Sequence, residues 1–459
     1  MRHRANRRWN RRTAISLSVA GITSMALVGA AVAVHHHGSD EHKSSAKGAD
    51  RHTRADGGQG ASSRSPDGES PEAQASRRSS EAKRSRSSAS PAPTASAAAG
   101  AEATKSAEPE QKCGEGAFDA EAVKTGDTWT SRNGDKVVYE GDDMTGAIVA
   151  ALASLDPERT AKERVVVRGS GTMPANWKIK MPNHTALDVC GTITATGDGA
   201  TDTAPIYARA VTDVEIQHLK ITGSPMYGIF MRSVENITLG QVEINGTYIG
   251  VRIDNFGDRT RPTKNIRIDN IKVTGSGSQA VETYGVDGLT IGKVTARNVG
   301  ESGLLLNGTT NAEIGTVDAV DAGTGTGYAA FRMANRNGRI GDSYKTNIHV
   351  GKVIARGGGR GIFCVSESGG AVIDEVDIAD TGNHAILVEN CYNVTIGAKG
   401  GTVAGPGHVR LAARAEFANS RDITLENLTV RDTVVEETPC ADNSTFKNLK
   451  RDDTALDVC

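Results

Sequence analysis

The chain has 459 residues, with 53 Lys+Arg against 55 Asp+Glu, a formal charge of −2 and 37% apolar residues. That length admits two or three domains, but composition divides the chain into a basic tail and one body beginning near Cys113. Residues 1–112 carry 18 basic and 11 acidic side chains and the rest 35 and 44, so the body is acidic and lacks the broad positive surface a nucleic-acid partner requires.

In chain order, Arg2, Arg4, Arg7, Arg8, Arg11 and Arg12 precede an uncharged run over 13–34, and Ala31-Val32-Ala33 offers small residues at cleavage spacing. Residues 1–34 therefore read as an export signal, with an uncleaved membrane anchor as the alternative. Residues 35–112 are Ser, Ala, Pro, Gly and mixed charge, too poor in large apolar side chains to offset their ordering entropy, and read as a disordered linker. The expected location is secreted, or anchored at the cell surface if the first segment is retained.

Residues 113–459 hold all six cysteines, Cys113, Cys190, Cys364, Cys391, Cys440 and Cys459, and export favours disulfides among them. Chain order favours Cys113–Cys190, Cys364–Cys391 and Cys440–Cys459. For the middle pair two free buried thiols are the alternative, because Cys364 falls on an inward position and Cys391 in a turn. The hexapeptide Thr-Ala-Leu-Asp-Val-Cys occurs at both 185–190 and 454–459.

Asp142 or Asp143 is placed to cap an Ala-rich helix running to Leu155, ahead of Val165-Val166-Val167. Beyond it a short unit repeats: a small residue, an alternating strand, an Asn or Asp, then two more β-branched strands. The small-residue anchors are Gly228, Gly250, Ala280, Gly303, Ala330, Gly361, Ala385 and His408, at steps of 22, 30, 23, 27, 31, 24 and 23. A base period of this size with occasional insertions marks a solenoid. Asn236, Asn265, Asp287, Asn311, Asn347, Asn393 and Asp422 precede the second strand of each unit and predict one repeated left-handed turn with stacked side chains. Three strands per unit predict an all-β, right-handed, three-sided parallel β-helix closed by an N-terminal helix.

The helix behind Asp142-Asp143, the Val-rich strand and the short rungs with an Asn turn column resemble the pectin-lyase-like superfamily of polygalacturonases and pectate lyases, over residues 126–459. The resemblance implies a parallel β-helix that cleaves uronate-containing polysaccharide along an outer groove. Four blocks that polygalacturonases carry on successive rungs, Asn-Thr-Asp, Asp-Asp, His-Gly and Arg-Ile-Lys, are not intact here: Arg252-Ile253-Asp254 ends in Asp, and the body has no His-Gly pair.

Because successive strand side chains face opposite ways, the outward column reads Phe230 and Arg232, Arg252 and Asp254, Glu282 and Tyr284, Leu305 and Asn307, Arg332 and Ala334, Phe363 and Val365, then Leu387 and Glu389. Its polar middle carries the candidate catalytic residues Arg252, Asp254, Glu282, Tyr284 and Arg332. For a lyase, Arg252 or Arg332 clamps a uronate carboxylate, Tyr284 with a lowered pKa removes the C5 proton, and the acidic pair positions substrate or a bridging Ca²⁺. For a glycoside hydrolase, Asp254 and Glu282 act as the two carboxylates.

Asn307, Arg336 and, on the loop insertion at 255–262, Arg259 and Arg261 are candidate substrate ligands; a second insertion spans 338–345. The contrasting reading is a non-catalytic glycan-binding or adhesive surface module, in which an Arg252–Glu282 contact is only a cross-rung ion pair. In either case the expected partner is an extracellular polysaccharide and the expected state a monomer. His384 and His408, one period apart, are expected to meet as a structural pair.

Overall fold

The computed structural model describes residues 112–256, 263–323 and 327–459. The export signal, the linker apart from Lys112, and Arg259 and Arg261 lie outside the described residues.

The body opens with three antiparallel strands that lie outside the repeat: β1 (Ala120–Thr125), β2 (Thr128–Asn133) and β3 (Lys136–Gly141). Gly126-Asp127 and Gly134-Asp135 join them, and the two glycines sit at φ +61° and +54°, the left-handed backbone that a two-residue hairpin turn demands. Helix α1 (Met144–Ala153) follows, and Asp143 is its cap: one carboxylate oxygen accepts from Thr145 N at 2.9 Å and the other from Gly146 N at 2.8 Å. The helix buries Met144, Ala147, Ile148, Ala151 and Leu152 against the main core, as an end cap must. Strand β1 also pairs in parallel with β4 (Glu163–Arg168), which joins the cap to the coil.

Beyond β3 the strand ladders are parallel, and each strand lies between its counterparts one turn earlier and one turn later. Short strands such as Ile249–Asp254 and Val281–Tyr284 alternate with long ones such as Thr263–Thr274 and Val286–Val299. The second and third strands expected from sequence run on as one long strand, within which pairing is skipped at Gly240, Asp269, Gly292, Gly315 and Gly351. Close stacking explains the glycines there: a Cβ on Gly292 would come within 2.3 Å of the Asp269 carbonyl oxygen. The same crowding explains the small anchors, since a Cβ on Gly250 would lie 2.3 Å from the Ala280 carbonyl oxygen. The anchor column ends one turn early, however. His408 pairs with His384 and Val409 with Ile386, leaving Ala385 as an extra residue in a bulge.

The Asn column is partly regular. Asn236, Asn265, Asn311, Asn393 and Asp422 take φ between 53° and 58°, and Asn265 donates to Asn236 at 2.9 Å and Asn311 to Asp287 at 2.6 Å. Asp287 and Asn347 are not left-handed; at Asp287 the turn passes to Gly288 at φ +81°.

The core fills the coil. Val251, Val281, Leu304, Phe331, Ile362 and Ile386 are successive register partners and wholly buried, each such side chain contributing about 1.5–3 kcal/mol of transfer free energy. Three disulfides join Cys113–Cys190, Cys364–Cys391 and Cys440–Cys459, and no cysteine is free. Cys391 does not sit in a turn: it opens the strand Cys391–Ala404, fully buried, and meets the inward Cys364 across neighbouring rungs. Both copies of the repeated hexapeptide form a strand that runs into a disulfide cysteine. The first, Thr185–Val189, is entirely buried between neighbours, and the second ends the last strand, Lys450–Asp457, which is mostly exposed. Among the described residues no helix is long and apolar enough to cross a membrane.

Candidate functional site

The short strands carry an unbroken outward column. Tyr207, Phe230, Arg252, Glu282, Leu305, Arg332, Phe363 and Leu387 are register partners in turn, and beside them run Arg209, Arg232, Asp254, Tyr284, Asn307 and Ala334. The structure thus brings Arg252, Asp254, Glu282, Tyr284, Asn307 and Arg332 onto four consecutive short strands. They form a covered cluster and not an exposed groove: Asp254 is 0% exposed, Glu282 2% and Asn307 3%. The cover is local. Phe256 packs on Tyr284 with ring centroids 4.8 Å apart, and the Arg252 guanidinium lies 5.4 Å and 4.8 Å from these two rings.

Asp254 is saturated. One oxygen accepts from Arg232 Nε at 2.5 Å and Phe256 N at 3.1 Å, the other from Arg232 Nη2 and Arg252 Nε, both at 2.8 Å. Four donors occupy the lone pairs a carboxylate has to offer, so Asp254 is held in place and itself holds two arginines. The paired-carboxylate role expected of it in hydrolysis does not fit this environment. Of the acidic pair expected to position substrate or a bridging Ca²⁺, Asp254 has its lone pairs taken, while Glu282 gives one oxygen to Arg252.

Glu282 accepts from Arg252 Nη1 at 2.9 Å. Burial nevertheless pushes its pKa up to about 7, opposed by Arg252 and reinforced by the nearby carboxylates of Glu301 and Asp254. Tyr284 departs from expectation: burial, with Glu282 beside it, drives its phenol above the usual tyrosine range, outweighing Arg252 and Arg332. Near neutral pH the phenol therefore stays protonated, which does not suit the base role expected of it.

Arg332 sits two rungs from Glu282 with its guanidinium 5.9 Å from the Tyr328 ring and 5.4 Å from Phe363. It makes no ion pair among the described residues, its Nε is buried without a hydrogen-bond partner, and burial lowers its pKa. Asn307 accepts from Asn335 at 2.8 Å while its own Nδ2 stays unpartnered. Arg336 lies in the turn after Phe331–Ala334, exposed and paired with Glu367 at 3.0 Å. The second insertion is likewise engaged in its own contacts, with Arg339 bonded to Asp342 at 2.7 Å.

Sequence reasoning missed Arg232, Tyr227, Phe256, Tyr328 and Glu301. Arg232 stood in the predicted column directly opposite Asp254, so its charge was signal enough. Tyr227 feels Arg252, Glu282 and Asp254, and Glu301 accepts from Ser278 at 2.6 Å and from Gln279; both lie outside the alternation that named the column. Farther along, His384 and His408 do face each other, ring centroids 6.3 Å apart and edge-on.

No protein-family model matches the chain, and no curated protein matches it. Among solved structures it is similar to the mannuronan C-5 epimerase AlgE4 A-module of Azotobacter vinelandii, at 12% identity and a TM-score of 0.39 over 65% of this chain and 89% of that one. It is also similar to PfbA, a surface adhesin of Streptococcus pneumoniae, at 13% identity and a TM-score of 0.38 over 69% and 89%. A third is the catalytic domain of a GH87 α-1,3-glucanase in complex with nigerose, at 13% identity and a TM-score of 0.34 over 68% and 64%. At these identities the likeness carries no chemistry. The chain's own strand pairing makes it a parallel β-helix with an N-terminal capping helix.

Proposed function

We propose that the protein is an exported, monomeric polysaccharide lyase that cleaves a uronate-containing glycan by β-elimination on the outer face of the short strands. The reading rests on one juxtaposition: Glu282, a buried carboxyl with its pKa near 7, stands two rungs from Arg332, a guanidinium with no carboxylate of its own among the described residues. A substrate uronate supplies the missing anion. Paired with Arg332, its C6 carboxylate draws charge from C5 and acidifies the C5 proton. The Glu282 carboxylate takes that proton; the C–H electron pair becomes the C4=C5 double bond as the C4–O bond breaks, and Tyr284 protonates the departing oxygen. Arg232, Arg252 and Asp254 touch no reacting atom and position Glu282. Entry requires the Phe256 ring to move off Arg252 and Tyr284.

Hydrolysis of the polygalacturonase type is the weaker chemistry because Asp254 has no free lone pair. A non-catalytic glycan-binding module is favoured by the near-complete burial of Asp254 and Glu282. The test is incubation with a panel of uronate polymers. The ultraviolet absorbance of the new double bond, lost in Glu282→Gln, is the expected result. Reducing ends without absorbance point to hydrolysis, and retention of polymer without either product leaves the binding module.

A further inference from the structure

The outward column continues towards the N-terminus into a cavity of about 450 Å³ lined by Lys178, Lys180, Asp202, Tyr207 and Arg209. Lys180, Tyr207, Phe230, Arg252 and Glu282 are successive register partners, which sets Tyr207 three rungs, about 14 Å, from Glu282 at the inter-strand spacing of ~4.8 Å. The cavity is cationic within an acidic body. Asp202 faces Lys178 at 3.4 Å and Arg209 at 4.0 Å, and the Tyr207 hydroxyl donates to it at 3.2 Å. Lys180 makes no ion pair among the described residues, so three cations meet one carboxylate. Trp177, the residue before Lys178, is 56% exposed, an uncommon placement for a side chain whose flat apolar face is suited to stacking on a sugar.

We infer that this cavity is a distal subsite for an acidic sugar of the same glycan chain, so that the protein grips its substrate from Lys180 to Arg332, a span of six rungs or about 29 Å. The inference rests on the proposed glycan substrate but not on its cleavage. Lys180 and Arg209 supply the anion contact, and Asp202 holds Lys178 and Tyr207 in place beneath them.

The experiment uses the full chain and the double variant Lys180→Ala/Arg209→Ala, both exposed substitutions. Binding is read as retention in gels containing polygalacturonate, alginate or neutral dextran, and turnover as double-bond absorbance on polygalacturonate and on trigalacturonate, which is too short to reach both sites. The double variant is expected to bind the acidic polymer about tenfold more weakly, to raise KM on polymer by a similar factor at unchanged kcat, and to treat the trimer like the unsubstituted protein. Lys180→Arg is expected to restore binding. If polymer is retained but cut by neither protein, the weakened retention of the double variant upholds the subsite while the lyase reading fails. Unchanged retention of acidic polymer in the double variant, equal retention of dextran, or no retention of any polymer by the unsubstituted protein overturns the subsite.

Discussion

Arg252 and Glu282 face each other across one rung and share a 2.9 Å hydrogen bond, yet the carboxyl holds its proton to about pH 7. The folded protein therefore binds this proton more tightly than the unfolded chain, in which Glu titrates at about 4.3. The stability so conferred is complete below that value and is lost as pH rises through 7, an effect of about 3 kcal/mol. Glu282→Gln is expected to flatten that slope: between pH 4 and pH 8 the unsubstituted protein should lose about 3 kcal/mol relative to the variant in denaturant titrations. A parallel pH dependence in the two proteins would show that Glu282 titrates normally.

Asp254→Asn tests the centre of the ion network. It leaves Arg232 and Arg252 around a neutral group in a site with no exposure, and removing one partner of a buried pair costs about 3–5 kcal/mol. Urea unfolding at pH 7 measures the loss; a change below about 1 kcal/mol would mean that water reaches the two guanidinium groups.

Arg332→Ala is expected to raise KM on uronate polymer at least about tenfold, as removal of a charge-assisted contact does. Arg332→Lys should recover part of it, since an ammonium keeps the charge and loses the fork. Steady-state kinetics on polygalacturonate decide, and an unchanged KM in Arg332→Ala would remove this residue from substrate binding.

His384 gives the opposite pH behaviour. Burial, helped by Arg360, Arg410 and His408, lowers its pKa to about 4, so its contribution is present above the unfolded value of about 6.5 and is lost as pH falls through 4. His384→Gln should lose less stability than the unsubstituted protein between pH 6.5 and pH 4, read by thermal unfolding across that range.

The Cys364–Cys391 bond closes a 27-residue step between rungs and lies wholly in the core. Replacing both cysteines by alanine is expected to cost about 3–4 kcal/mol in chain entropy alone, and more than the same change at Cys440 and Cys459, which are both exposed. Chemical denaturation of the two double variants makes the comparison.

Which side chains of the short strands look outward was legible in the order of residues, because a strand's two-residue alternation is covalent geometry and the small anchors set its phase. From that came the stacking of Arg252 on Glu282 and of Asp254 on Tyr284, and cysteine order proposed three pairings that the fold realises. The bulge at Ala385 was invisible because a single extra residue moves His408 by one position without altering the period. The hairpins ahead of α1 fall outside the repeat, and their signal is local, in the turn pairs Gly126-Asp127 and Gly134-Asp135. That the polar column is roofed over emerges from the folded chain alone. Asp254 owes its burial to Arg232 from the preceding rung and to Phe256 from a loop, and Tyr284 owes the sign of its shift to desolvation outweighing two arginines. Burial and electrostatics depend on which groups meet in space, and strand periodicity specifies only the direction in which each one points.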